Sequence, residues 1–75
     1  MKLASAAVER QVTRAVWLTA KLLLKHEVNY TAYQRHFKRS LRTYYSDLAR
    51  IARAGIAYES FRDHQGAVRL VKATI

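Results

Sequence analysis

The stretch RSLRTYYSDLARIARAG, residues 39–55, gathers Arg39, Arg42, Arg50 and Arg53 around Tyr44, Tyr45 and a lone acid, Asp47, and ends on Gly55. Arginine offers paired hydrogen bonds to guanine or phosphate, and serine and threonine hydroxyls reach base edges or phosphate oxygens. From Thr31 to Ala54, the six basic residues Arg35, Lys38, Arg39, Arg42, Arg50 and Arg53 stand against one acid, a local balance of +5. The chemistry on offer is recognition of an anion. Covalent catalysis has little footing, because Ser40, His36 and Asp47 lie in no nucleophile motif. His26, His36 and His64 share no metal-ligand spacing, and cysteine is absent, so neither a metal nor a cofactor is expected.

The whole chain repeats the local charge bias. Its 75 residues carry 14 Lys/Arg against 5 Asp/Glu, a net charge of +9. Such an excess repels itself in the folded state, which points to a polyanionic partner. Nucleic acid leads, with an anionic membrane surface second. At 51% apolar residues the chain can still build a core, and its length suits one domain. No apolar run is long enough to span a bilayer, and MKLASAAVERQ reaches charge too soon for a secretion signal, so the cytoplasm is the expected site of action.

Hydropathy periodicity orders the elements. Ser5 can cap a first helix running to about His26, with Val8, Val12, Ala15, Val16, Thr19, Leu22 and Leu23 as its apolar face. A thinner stripe of Thr13, Trp17, Ala20 and Leu24 lies opposite. It either packs under the C-terminal strand RLVKATI or forms a dimer interface, and Trp17 with Leu24 favours the dimer. EVNY breaks the pattern, and Asn29 or Thr31 can cap a second helix over about 31–37. Ser40 caps the third, about 41–54, with Tyr44, Leu48 and Ile51 inward and Gly55 as its left-handed stop. IAYES and AVRLVKATI read as strands joined by FRDHQG, giving a hairpin over about 56–73. The fold class is mainly α, a three-helix winged helix-turn-helix with a C-terminal β-hairpin wing. In that arrangement the second helix of the closely joined pair enters the major groove, N-terminal end first.

FKRSLRTYYSDLARIARAGIAYE resembles the DNA-binding module of WYL-domain and DeoR-like transcriptional regulators. Phe37, Ser40, Arg42, Thr43, Asp47, Leu48, Ile51, Gly55 and Ile56 match its pattern, and GIAYESFRDHQGAVRL is similar to its wing. Three positions depart from it: Arg39 replaces a buried valine, Tyr44 an aliphatic core residue, and Ser46 an arginine. The resemblance implies groove contacts from Ser40, Arg42, Thr43 and Tyr45, weaker ones from Lys38, Arg39 and Ser46, and wing contacts from Arg62, His64 and Arg69. Asp47 is expected to tie the third helix to a neighbouring arginine, since a carboxylate facing phosphates is repelled. A buried Tyr44 hydroxyl needs a partner.

The expected partner is therefore double-stranded DNA, the expected assembly a homodimer, and the expected role that of a small transcriptional regulator. Nothing resembling an effector domain follows Ile75, which suggests a stand-alone regulator of a mobile element, or a module of a longer protein. The alternative is a basic module that binds RNA or a protein through the Trp17 stripe. A membrane-surface role for the first helix, with Arg10, Arg14, Lys21 and Lys25 on one flank, is disfavoured because two opposed apolar stripes spoil the single-faced geometry.

Overall fold

Alanine, leucine, lysine and arginine dominate the first 25 residues, with no glycine or proline among them, and such a segment favours helix. The computed structural model describes residues 2–74, with side chains from Ala6 onward. Helix α1 spans Lys2–Lys25, followed by strand β1 (Glu27–Val28), α2 (Tyr30–Phe37), α3 (Leu41–Arg53), β2 (Ile56–Ser60) and β3 (Val68–Ala73). The strands form one antiparallel sheet in the order β1-β3-β2. Three helices and a C-terminal hairpin that pairs back to β1 make a winged-helix-like arrangement.

Local chemistry accounts for the element ends. Helix α1 starts at Lys2 rather than at Ser5, which falls within it; the Ser5 side chain lies outside the described residues. The helix stops where His26 turns left-handed (φ 69°) and donates its amide to the Leu22 carbonyl at 3.0 Å. Asn29, not Thr31, caps α2 by accepting from the Ala32 amide at 2.8 Å. Lys38 closes α2 in the left-handed region at φ 59°, its amide donating to Gln34 at 2.7 Å. Ser40 then caps α3, accepting from the Thr43 amide at 3.2 Å.

Of the apolar face expected on α1, Leu22 is in the core and Ala15 packs against it, but the buried side is turned away from the valines. Leu18 and Leu22 are fully buried and Arg14 nearly so, whereas Val8, Val12, Val16 and Leu23 stay 42–60% exposed. The valines outnumber the residues that pack, and an arginine in the buried row disguises it. The second stripe also finds another fate. Trp17 packs on α2 rather than under the C-terminal strand, stacked on His36 at 5.2 Å and edge-on to Phe37 at 5.4 Å. EVNY holds a strand missed in the sequence: Glu27 and Val28 pair with Arg69 and Val68. Two residues are too few to show an alternating pattern.

The core joins Leu18 and Leu22 to Tyr33, Tyr44, Leu48, Ile51, Ile56 and Val68. Tyr44 meets its expected need for a partner: its hydroxyl donates to the Gly66 carbonyl at 2.6 Å. Gly66 sits in the hairpin turn at φ 64°, and a Cβ there would lie 3.2 Å from atoms of Tyr30, Tyr44 and Tyr45. Only glycine combines that backbone conformation with so close an approach. Asp63 shapes the same turn, its Oδ1 accepting from the amides of Gln65 and Ala67. Those bonds, Ala67 foremost, hold the Asp63 carboxyl below its usual range.

Burial pushes the phenols of Tyr33 and Tyr44 well above their ordinary range, with the hydrogen bond to Asp47 adding to the shift at Tyr33. Below about pH 10 both the folded and the unfolded chain keep these protons; above it only the folded chain does. Stability is therefore expected to be level up to about pH 10 and then to fall by about 1.4 kcal/mol per pH unit for each of these tyrosines. Urea titrations across the alkaline range measure the slope, and Tyr44→Phe should reduce it by one proton.

Candidate nucleic-acid interface

Asp47 organises the site from beneath. Its carboxylate is fully buried, yet three donors from three helices reach it. Arg14 Nε of α1 donates to Oδ2 at 2.7 Å, the Tyr33 hydroxyl of α2 donates to the same oxygen at 2.6 Å, and an Arg50 guanidinium nitrogen of α3 reaches Oδ1 at 2.8 Å. The bond to Asp47 raises the Arg14 pKa and so keeps its guanidinium charged, against the desolvation that opposes it. The expected tie to a neighbouring arginine is present in Arg50, one turn away. Arg14 and Tyr33 were not anticipated, because nothing in sequence links positions so far apart.

With Asp47 turned inward, the opposite side of α3 carries Arg42, Ser46, Ala49 and Arg53 at successive turns, all exposed. Among the described residues Arg39, Arg42 and Arg53 make no ion pair. Arg39, Arg42, Thr43 and Ser46 share a polar concavity of about 260 Å³ with Gln11, Arg14 and Arg50. Arg10 and Arg39 line a neighbouring hollow beside Thr13 and Phe37. The structure thus brings four expected residues together. It adds Arg53 and Ala49 on α3 and Arg10 and Gln11 on α1, which the sequence reading left out. Arg53 lies eleven residues after Arg42, a spacing that returns to the same helix face and would have identified it.

Other expected residues stand apart. The Ser40 hydroxyl is engaged in the cap and lies 3.2 Å from the Thr43 hydroxyl. Lys38 and Arg39 form the exposed turn between α2 and α3, and the Arg39 carbonyl accepts from the Tyr30 hydroxyl at 3.0 Å. The departure from a buried valine at position 39 is thus met by a side chain that stays in solvent. Tyr45, 37% exposed, leans toward the wing against Tyr44 at 5.2 Å. Arg62 and His64 are exposed in the wing loop. Arg69 is taken up within the sheet, 2.8 Å from Glu59 and over the Phe61 ring at 5.6 Å. Leu24 is 76% exposed.

These features define a small helical domain with a winged-helix-like topology and one arginine-rich helix face. No protein-family profile, curated protein or solved structure matches the chain. Among the described residues no helix is long and apolar enough to cross a membrane.

Asp47→Ala removes the carboxylate and strands the Arg14 charge in the interior. Breaking a buried pair on one side costs about 3–5 kcal/mol. A loss near that size in chemical denaturation is expected, large enough to unfold much of so small a domain, and Asp47→Asn should fall between the two.

Proposed function

We propose that this domain binds double-stranded DNA, placing α3 in the major groove with its N-terminal end foremost. The carrying observation is the segregation of charge on that helix: its one acid is buried, while Arg42, Ser46 and Arg53 project together. A major groove about 12 Å wide admits one helix, and Ala49 between the arginines lets the backbone approach closely. Arg42, in the first turn, is the residue for base edges. Arg39, Arg10 and Gln11 lie beside that end, where a phosphate of the flanking strand would run, and the α3 N-terminus adds its own attraction for anions. The wing loop offers Arg62 and His64 to the backbone, and Arg69 reaches it by leaving an exposed pair with Glu59 that holds it only weakly.

The resemblance of residues 37–56 to the DNA-binding module of WYL-domain and DeoR-like regulators supports the same reading and makes transcriptional regulation the proposed role. Action in the cytoplasm belongs to that proposal.

Two measurements test it. Duplex affinity should weaken at least about tenfold between roughly 50 and 200 mM salt, as several phosphate contacts require. Absence of binding at low salt, or preference for structured RNA in direct competition, would refute the proposal. Selection of bound sites from a random duplex pool then separates the roles of two arginines. Arg42→Ala should relax sequence preference and cost about 1–3 kcal/mol, whereas Arg62→Ala should weaken every duplex alike.

A further inference from the structure

The outer side of α1 is apolar and largely exposed, with Ala15 at its edge packed against the core. Val8, Val12, Val16, Thr19 and Leu23 recur there at three- and four-residue steps, and among the described side chains Glu9 is the one charge that α1 adds to that side. Val12, Val16 and Leu23 line a concavity of about 470 Å³ with Ile51 and Ala54 at the C-terminal end of α3. We infer that this side of α1 docks a second copy of the chain, packed antiparallel about a two-fold axis near Ala15 and Val16.

Four observations favour that occupant. The exposed valines and Leu23 leave on the order of 300–400 Å² of contiguous apolar surface per copy, as much as the largest patch on a typical monomer. Doubled, and with a rim of α3 added, it reaches the roughly 1,000 Å² at which specific interfaces begin. Two chains of charge +9 repel, and among the described side chains this is the side of α1 that carries no arginine or lysine. Arg10, Arg14, Lys21 and Lys25 all fall on the other flank, where Arg14 is buried and Lys21 lies over Trp17 at 5.3 Å.

The stripe is also self-complementary. Antiparallel pairing brings Val8 level with Leu23 of the second copy, Val12 level with Thr19 and Val16 level with Ala15, so the two Val16 side chains adjoin across the axis. Finally, α3 borders the interface with its C-terminal end. Two such 13-residue helices, each about 20 Å long, then point their N-terminal ends, with Arg42, apart by up to about 40 Å. That reach includes the roughly 34–36 Å between successive half-sites on a duplex. This last point alone rests on the nucleic-acid reading. A membrane surface fits less well, because the basic residues do not straddle the apolar side as a surface-lying helix requires.

The assignment differs from an interface through Trp17, whose ring α2 occupies. The full chain without nucleic acid is expected to sediment at twice the chain mass at high micromolar concentration, and Val16→Arg to halve that mass while keeping its circular dichroism. The chain has no cysteine, so a single Val16→Cys should cross-link to its own copy under mild oxidation, and Ala57→Cys, on an exposed position of β2, should not. A wild-type chain that sediments as one copy overturns the inference. So does equal cross-linking at the two positions, or pelleting with anionic vesicles that Val16→Arg abolishes.

Discussion

One buried carboxylate fixes how the helices meet. Asp47 takes a charged donor from α1, a phenol from α2 and a second guanidinium from its own helix, so both carboxylate oxygens have partners. Placing a charge in the interior is expensive, and the attraction of Arg14 offsets that cost only because the geometry is short and complete. The arrangement selects one packing of α3 against its two predecessors, since a slight rotation would strand both Asp47 and Arg14. An apolar side chain at position 47 would tolerate several. Burying the acid also leaves the outer face of α3 with arginines and no opposing charge.

The wing is tied to the same helix by a second polar link. Tyr44, one turn before Leu48, carries its hydroxyl across the core to the Gly66 carbonyl, and the Tyr30 amide donates to Gln65 in the same turn at 2.8 Å. The Tyr30 hydroxyl reaches the Arg39 carbonyl, so one residue touches both the wing turn and the turn that precedes α3. Tyr30, Tyr33 and Tyr44 pack ring against ring at 5.0–6.4 Å, filling with aromatics the volume that a larger domain fills with aliphatic layers. A chain of this length has little apolar surface to bury, and tyrosines contribute area and directed hydrogen bonds together.

Features set by neighbours in sequence were legible; those set by distant contacts were not. Ser40, Asn29 and Gly55 announce their caps and stop locally, and the Asp63–Gly66 turn declares the hairpin. Tyr44 read correctly as core because Leu48 and Ile51 follow at helical spacing. The α1 face was only partly right, at Leu22 and Ala15, for a physical reason: the helix has apolar residues on two sides, and only tertiary packing decides which is covered. The buried row is the one containing Arg14, whose partner lies 33 positions away. Strand β1 exists only because β3 passes beside it. At the candidate site the arginine-rich start of α3 was visible. The contribution of α1 through Arg10 and Gln11 was not, since it depends on that same misread packing.

Arg50 sits at the boundary between the two outward surfaces. It lines both the polar concavity beside Arg42 and the apolar one beside Val16, while holding Asp47 Oδ1. Its side chain is 41% exposed, but among the described residues it is the one donor to the buried Oδ1, so when it turns away that oxygen is left unpaired. Oδ2 keeps Arg14 and the Tyr33 hydroxyl when it does, and the buried charge is never left alone. The two inner donors therefore hold the helices together on their own. Arg50 is thus the member of the cluster whose turning toward a phosphate or a second copy would cost a hydrogen bond at Oδ1 rather than the charge balance of the interior, which Arg14 keeps.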